Sequence, residues 1–224
     1  KHFKNKYSNI LNWSINNSHL FWSSIWDFCK VSGIKSKKKI NRSNTFYKNI
    51  FLPESKLNFG ENLLSKNDNS KAVTFISENG FRKEISWKKL NKNVSKLVSF
   101  LKKKNIKKKD RIASYTINSI ETVESFIASS SIGAIWSSCS PDFGINGLIE
   151  RFSQIQPKLL IITDRYFYNG KQINILERLP KILKKIPSIK YLIITNYPGQ
   201  KYVNKKFKHN KINIFFWEDI LKIK

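Results

Sequence analysis

The feature that most constrains the fold is a regular alternation of short apolar runs with amphipathic segments across the second half of the chain. The apolar runs are continuous stretches of Ile and Leu, which is typical of strands buried on both faces. This order, with short connections, predicts an α/β fold with a doubly wound, mostly parallel sheet and flanking helices. The predicted strands are Arg111–Thr116, Ala134–Ser138, Leu159–Thr163, Tyr191–Thr195 and Ile212–Phe216, and the predicted helical segments are Ile120–Ile132, Asn146–Ile155, Asn174–Ile186 and Trp217–Leu221.

Upstream of the alternation, the sequence predicts a hairpin followed by a long helix. Ala72–Ser77 and Phe81–Ser86 are short β-rich runs. The Asn79-Gly80 pair between them favours the positive φ angles of a tight turn. After Ser86 the apolar residues change to helical spacing, which predicts about four turns of helix.

The N-terminal part is predicted to be helical and irregular. Apolar residues recur at helical spacing between Ser18 and Gly33, with Ser18 as a candidate cap and Gly33 as a candidate stop. The following stretch, Lys35–Asn49, has little periodicity and is interpreted as a solvated connection.

The charge of the chain raises the question of nucleic-acid binding. Its 224 residues include 42 Lys and Arg against 15 Asp and Glu, a formal net charge of +27. Nearly all of the positive charge comes from lysine. Arginine, which is scarce here, is the side chain that forms bidentate hydrogen bonds with guanine edges and with phosphates. The lysines accompany a surplus of Asn and Ile along the whole chain, which favours compositional drift over a designed patch. We therefore expect small-molecule partners and no specific nucleic acid.

Neither a membrane span nor a secretory signal is expected. The strongly apolar runs are far shorter than the ~18 residues of a membrane-spanning helix, and residues 1–13 lack the pattern of a signal peptide. The two cysteines, Cys29 and Cys139, are too few for a disulfide framework. These observations predict a reducing, cytoplasmic location.

The usual catalytic and metal-binding motifs are weak. The 8 glycines are spread singly, so no glycine-rich loop for phosphates is found. The 3 histidines, His2, His19 and His209, lack cysteine or carboxylate neighbours at the spacing of metal ligands. No metal site and no catalytic residue is therefore assigned.

Four residues near predicted strand ends and one on a predicted helix, Arg151, are weighed for ligand contacts, since ligands of open α/β sheets bind near strand ends. Cys139 is interpreted as a small residue packing near a ligand rather than a nucleophile, because no histidine lies in a neighbouring loop. Asp142 and Asp164 are interpreted as helix caps. Arg151 is interpreted as a buried salt-bridge partner, with an anion contact as the alternative. Lys171 is placed to meet a phosphate, although a solvated loop lysine is the commoner case.

Several stretches of the chain carry a specific family resemblance. The stretches Glu121–Gly144, Arg151–Leu160 and Tyr168–Lys171 together closely resemble acetoacetyl-CoA synthetases. Phe21–Phe28 and Lys56–Leu64 resemble the N-terminal cap region shared with acetyl-CoA synthetases, and Lys108–Ala113 resembles the start of the first sheet of the adenylate-forming superfamily. The resemblance covers nearly the whole chain, from about Trp13 to Leu221.

The resemblance implies a cap region at residues 1–70 and an incomplete AMP-binding domain at residues 71–224. It implies a full-length acetoacetate–CoA ligase, which uses ATP, Mg²⁺ and coenzyme A to form acetoacetyl-CoA, AMP and pyrophosphate through an acyl-adenylate. The family's Ser/Thr/Gly-rich phosphate loop ending in lysine is not found in this sequence. The chain is therefore expected to be an N-terminal fragment that is inactive alone.

The coenzyme A side of the site is the part that the resemblance assigns to this chain. In related acetyl-CoA synthetases, two arginines in the loop after the third strand contact the phosphates of coenzyme A. Alignment on Gly170 puts Tyr168 and Lys171 at these two positions. Lys171 keeps the positive charge, whereas Tyr168 offers only a hydroxyl. The implied coenzyme A contacts are Tyr168, Asn169, Gly170 and Lys171.

A second stretch is also implied to lie near coenzyme A. Ser140–Phe143 match a turn that lies beside the nucleotide of coenzyme A in the same relatives. Pro141 and Asp142 stand where those relatives have glycines.

Two alternatives remain open. A sister acyl-CoA synthetase that acts on acetate, propionate or a longer acid shares most of these motifs, and the residues of Trp136–Gly144 and Tyr168–Lys171 favour acetoacetate. The more distant alternative is a basic nucleic-acid-binding module. It is disfavoured because helix-turn-helix spacing and aromatic-basic platforms are missing.

Overall fold

The computed structural model describes residues 7–200 and 209–223, so His2 lies outside the described residues. The chain divides into two units between Asn62 and Leu63. Within the described ranges, no helix has the length and apolar character needed to cross a membrane.

The first unit consists of helices and short strand pairs. Strand β1 pairs with β4, and β2 pairs with β3, both antiparallel. The elements are α1 (Tyr7–Asn16), α2 (Ser18–Phe28), β1 (Gly33–Ile34), β2 (Ile40–Asn41), a 3-10 helix (Phe46–Lys48), β3 (Ile50–Phe51), β4 (Lys56–Leu57) and α3 (Phe59–Leu63), which crosses the boundary.

The helix predicted from Ser18 to Gly33 is shorter than expected. Lys30 adopts a left-handed φ of 50°, which ends the helix just beyond Phe28. Ser18 is the first helical residue rather than the cap, which is Asn17. The preceding helix α1 is not predicted from the sequence. Its apolar residues Tyr7, Ile10, Leu11 and Ile15 recur at helical spacing, so the sequence contains a signal for α1 that the prediction did not use, although the helix buries no residue.

The second unit begins with the predicted hairpin and helix. Strands β5 (Lys71–Ile76) and β6 (Arg82–Ser86) pair antiparallel, and α4 (Trp87–Lys103) follows. The turn differs from the expectation in one respect. Gly80 alone of the Asn-Gly pair has a positive φ, 79°, so the connection is a longer loop with one left-handed glycine rather than a two-residue turn.

The predicted parallel sheet is confirmed. It has five strands in the order β13–β12–β9–β7–β8, and every neighbouring pair is parallel. The remaining elements in chain order are β7 (Arg111–Tyr115), α5 (Ile120–Ser131), β8 (Ile135–Cys139), α6 (Ile145–Ile155), β9 (Leu159–Thr163), β10 (Arg165–Tyr168), β11 (Lys171–Asn174), a 3-10 helix (Leu176–Arg178), α7 (Leu179–Lys185), β12 (Tyr191–Thr195), β13 (Asn213–Phe216) and α8 (Trp217–Lys222).

The helix predicted over Asn174–Ile186 is wrong in its first half. Asn174 ends β11, which pairs with β10 in a hairpin that the sequence reading did not include. Helix α7 itself begins only at Leu179, with Pro180 in its first turn. A proline is tolerated in the first turn but would break a helix that had started at Asn174.

Both faces of the sheet are buried, and successive residues of one strand supply opposite faces. In β9, Leu159 and Ile161 pack in the layer of α4, α5 and α8, whereas Leu160 and Ile162 pack in the layer of α6 and α7. All four are at most 1% exposed. Complete burial of each such side chain contributes roughly 1.5–3 kcal/mol, so the continuous apolar runs are a main source of stability.

A buried carboxyl group links α4 to α5. Glu124 on α5 is 1% exposed, and its Oε1 accepts a 2.7 Å hydrogen bond from Nδ2 of Asn93 on α4. Burial raises the pKa of the Glu124 carboxyl from 4.5 to about 8, the Asn93 amide opposes the rise, and the charge of Glu121 adds to it. The native chain therefore holds a proton that the unfolded chain releases at lower pH.

We expect the free energy of unfolding to fall as the pH rises from about 5 to 8, because only the native state keeps the Glu124 proton in this window. Glu124→Gln retains an acceptor for Asn93 and removes the ionisation. This variant should lose most of the pH dependence and exceed the wild type at pH 8 by on the order of 1–3 kcal/mol. Urea denaturation followed by tryptophan fluorescence measures this.

The matched control for this experiment is Glu150→Gln, which changes an exposed glutamate of α6. This control should follow the wild-type pH dependence. Identical pH dependence in the wild type and in Glu124→Gln would contradict the buried, protonated state of Glu124.

Candidate functional site

The winding of the sheet brings two segments of interest to one edge. The chain passes from β7 to β8 on one side and then to β9 on the other side of β7. In open α/β sheets, ligands bind at the carboxyl ends of the strands where the winding reverses in this way. The connection after β8 and the hairpin after β9 both start at this edge. We refer to Ser140–Gly144 as the turn segment and to Tyr168–Lys171 as the hairpin tip.

The hairpin tip is a tight turn with two left-handed residues. Asn169 and Gly170 have φ angles of 50° and 72°, as in the type I′ turns that suit two-residue hairpins. Tyr168 and Lys171 are directly opposed cross-strand partners, so their side chains project from the same face. Tyr168 is 63% exposed, and Lys171 is also exposed. The tip thus offers a hydroxyl and an ammonium side by side.

A residue that sequence reasoning missed holds this tip. The backbone N–H of Gly170 donates a 3.0 Å hydrogen bond to Oε1 of Glu78, which lies in the loop between β5 and β6. The contact brings a negative charge to the tip, and an anion that used the Gly170 amide would compete with Glu78 for it. The two residues are 92 positions apart in the chain, so no local motif reports the contact.

A groove lies beside the hairpin, lined by β11, the following 3-10 helix and the first turns of α6 and α7. It has a volume of about 560 Å³, within the range of small-molecule sites. Ile145, which directly follows the turn segment, lines one side, and Gln172, which directly follows the hairpin tip, lines another. No residue of the turn segment or of the hairpin tip lines the groove itself, and each segment directly precedes one lining residue in the chain. Its other lining residues are Ile173, Asn174, Glu177, Arg178 and Lys181.

The side chains of a tyrosine and an arginine donate hydrogen bonds to backbone carbonyls of the turn segment. The hydroxyl of Tyr115, at the end of β7, lies 3.0 Å from the carbonyl oxygen of Pro141 and 3.1 Å from that of Phe143. Nη1 of Arg178 donates to the Tyr115 hydroxyl and, at 3.1 Å, to the carbonyl of Pro141. Sequence reasoning assigned no role to either residue, since each lies far along the chain from the turn segment.

Arg151 is not the buried salt-bridge partner that the sequence suggested. It is exposed, and its guanidinium lies 4.4 Å from the centre of the Phe143 ring. This distance is typical of a cation–π contact. Arg151 therefore covers the outer side of the turn segment with a positive charge.

The interpretation of two aspartates as helix caps is wrong. The cap of α6 is Gly144, and exposed Asp142 instead accepts a 3.0 Å hydrogen bond from the Ser140 hydroxyl. Asp164 is 1% exposed and accepts hydrogen bonds from the backbone N–H of Tyr197 at 2.8 Å and from Nε of Arg165 at 3.1 Å. Burial raises the pKa of the Asp164 carboxyl, and these bonds oppose the rise. Asp164 thus ties the strand ends together.

Cys139 is a packing residue, as the sequence suggested. Its side chain is 6% exposed and belongs to the layer of α6 and α7. Burial raises the pKa of the Cys139 thiol, and the charge of Arg151 opposes the rise only in part. A reactive cysteine needs a lowered pKa, so this thiol is not activated.

A second cavity, of about 310 Å³, lies in the layer of α4 and α5 and is separate from the groove. Lys83 and Glu121, which form a 2.9 Å ion pair, line it together with Asn93 and Glu124. Oε2 of Glu121 is buried with no hydrogen-bond partner among the described residues. Neither the turn segment nor the hairpin tip contributes to this cavity.

Comparison with known protein families gives one family model, described as AMP-binding enzyme, which matches residues 63–213. Two curated relatives are acetoacetyl-CoA synthetases. The one from Rhizobium meliloti (strain 1021) is 38% identical over 180 residues, which are 80% of this chain and 28% of the relative. The one from Xenopus tropicalis is 38% identical over 223 residues, which are 96% of this chain and 32% of the relative.

A solved structure, acetoacetyl-CoA synthetase from Streptomyces lividans, has the same fold. Its TM-score is 0.86 at 22% identity, and the match covers 98% of this chain and 33% of that one. The chain thus spans about a third of the length of the proteins that it matches.

Cys139 should react slowly with a maleimide in the native chain, because burial excludes the reagent and raises the pKa of the thiol. Cys29 is exposed and serves as the matched control. Mass spectrometry of the variants Cys29→Ser and Cys139→Ser follows each remaining thiol with and without urea. We expect urea to accelerate modification of Cys139 at least ~10-fold and that of Cys29 far less. Rapid labelling of Cys139 without urea would contradict its placement.

Proposed function

The chain belongs to the AMP-binding enzyme family, and from this premise we propose that it is the N-terminal portion of an ATP-dependent acetoacetate–CoA ligase. The acetoacetyl-CoA synthetases that it resembles at 38% identity support this substrate over other short-chain acids. Within the proposal, residues 1–70 form the cap region, and residues 71–224 form the first part of the AMP-binding domain. The full-length protein acts on small molecules in the cytoplasm.

The proposed reaction has two steps. In the first, a carboxylate oxygen of acetoacetate attacks the α-phosphorus of ATP, and pyrophosphate leaves. In the second, the thiol of coenzyme A attacks the acyl carbon of the adenylate, and AMP leaves. The phosphate-binding loop of the first step has no counterpart in this sequence, so we assign ATP and Mg²⁺ to the remainder of the full-length protein.

The part of the reaction that this chain serves is the binding of coenzyme A. The observation that carries the proposal is the groove whose lining residues Ile145 and Gln172 directly follow the turn segment and the hairpin tip. Lys171 presents a compact positive charge at the tip, which suits a phosphate. The hydroxyl of Tyr168 projects from the same face and donates one further hydrogen bond. Asn169 and Gly170 supply the turn that brings these two side chains together.

Electrostatics around the groove fit an anionic ligand on balance. Lys171 stands at the tip, while Arg178 and Lys181 line the groove and Arg151 covers the turn segment. Two negative charges reduce this positive potential: Glu177 lines the groove, and Glu78 contacts the hairpin tip. Charge-assisted hydrogen bonds contribute roughly 1.5–3 kcal/mol each, so loss of one cation from such a site is measurable in the affinity for coenzyme A.

We expect Lys171→Ala, in the full-length protein, to raise the KM for coenzyme A roughly 10- to 100-fold, because one charged contact to a phosphate is lost. The rate of adenylate formation from acetoacetate and ATP should stay nearly unchanged. This rate is measured by pyrophosphate exchange in the absence of coenzyme A. Lys92→Ala is the control, since Lys92 is an exposed lysine of α4 in the layer on the opposite face of the sheet.

Three outcomes would count against the proposal. Equal losses in both half-reactions would indicate a folding defect, and unchanged kinetics would remove Lys171 from the site. A full-length protein that forms no acyl-CoA from acetoacetate, while it uses acetate, propionate or a longer acid, would favour the sister synthetase.

A further inference from the structure

From the geometry at the turn segment, and resting on the proposed function, we infer that Tyr115 and Arg178 are positioning residues for the thioester-forming step. In this scheme neither residue donates a hydrogen bond to a reactant, and Arg178 contributes only its charge to the groove. They act by holding the turn segment, whose next residue, Ile145, lines the proposed coenzyme A groove.

The first support is the hydrogen-bond geometry of Tyr115. Its side chain is completely buried, yet its hydroxyl reaches two carbonyl oxygens of the turn segment, those of Pro141 and Phe143, at 3.0 and 3.1 Å. A phenol has one proton to donate, so it serves these two acceptors alternately or in a shared bond. Either way, the hydroxyl fixes both ends of the Pro141–Phe143 stretch relative to β7.

The second support is the position of Arg178 between the hairpin and the turn segment. Arg178 belongs to the short 3-10 helix that follows β11, and it lines the groove. Its Nη1 reaches both the Tyr115 hydroxyl and the Pro141 carbonyl. This donor compensates for the single proton of the phenol. It also connects the part of the chain that carries Lys171 to the turn segment by a charged hydrogen bond.

The third support is how little else holds the turn segment. Asp142, Phe143 and Gly144 are exposed, and Gly144 offers no side chain to cap α6. Among the described residues, two further contacts are internal to the segment, the 3.1 Å bond from the Phe143 N–H to the Ser140 carbonyl and the Ser140–Asp142 pair. Pro141 is buried, and the Gly144 carbonyl accepts a 3.1 Å bond from the Leu148 N–H of α6, so the segment is joined to α6 at its end. Arg151 on the Phe143 ring is the outer contact.

The physical consequence is pre-organisation of the groove. A segment that must meet a ligand contributes most when it is already in place, because ordering it on binding costs conformational entropy. Burial raises the pKa of the Tyr115 hydroxyl, and the Arg178 charge opposes the rise. The phenol therefore remains a donor throughout the physiological pH range.

The test uses Tyr115→Phe in the full-length protein, which removes only the hydroxyl. We expect the KM for coenzyme A to rise on the order of 10-fold, because two backbone carbonyls lose their shared donor and the turn segment loosens. The rate of acetoacetate-dependent pyrophosphate exchange should stay within about twofold of the wild type. Tyr191→Phe, at a half-buried tyrosine at the start of β12 and so at the opposite edge of the sheet, is the matched control and should change neither quantity.

Arg178→Lys provides the second variant. Lysine keeps the charge but lacks the planar fork, so its KM for coenzyme A should also rise while pyrophosphate exchange is retained. If Tyr115→Phe does not fold, as judged by its urea midpoint, Arg178→Lys decides the question alone. Parallel loss of both half-reactions in the folded variants, or no change in either, would overturn the inference. A wild-type protein without acetoacetate–CoA ligase activity would instead refute the proposed function.

Discussion

The parallel pairing of β7 with both β8 and β9 is the constraint on which the rest of the second unit depends. Parallel neighbours require crossover connections, and these cover both faces of the sheet with helices. Every strand therefore needs apolar residues on both sides, which β9 supplies with four nearly inaccessible side chains. The same constraint brings the carboxyl ends of all these strands to one edge. The connections that carry the turn segment and the hairpin tip both start at this edge, from strands that flank β7 on opposite sides.

The candidate site depends on a few long-range polar contacts placed on this framework. The Tyr115 hydroxyl and Arg178 fix the turn segment, and Glu78 fixes the hairpin tip through the Gly170 amide. The residues that line the groove itself belong to α6, β11, the following 3-10 helix and α7. The many lysines contribute little to the stability of the fold through ion pairs. Most ion pairs of the described residues involve at least one substantially exposed partner, and such pairs contribute about 0–1 kcal/mol each.

The sequence predicted the parts of the structure that depend on local pattern. Continuous apolar runs predicted the sheet, and helical spacing after Ser86 predicted α4. The predictions failed where local signals compete or are weak. The Asn169-Gly170 turn and Pro180 together indicate a hairpin and a late helix start, but the apolar periodicity between Asn174 and Ile186 favoured one continuous helix. The roles of Tyr115, Glu78 and Arg178 could not be predicted, since their partners are 26 to 92 residues distant. The assignment of the hairpin tip to coenzyme A remains a prediction.

The central claim is that the turn segment and the hairpin tip border one coenzyme A site. Hydrogen–deuterium exchange of the full-length protein, with and without coenzyme A, tests it most directly because it reports each segment separately. Peptides that contain Ser140–Gly144 and Tyr168–Lys171 should both become protected, whereas peptides from the α4 and α5 cavity should not change. A protein that turns over coenzyme A but shows protection in neither segment would contradict the account.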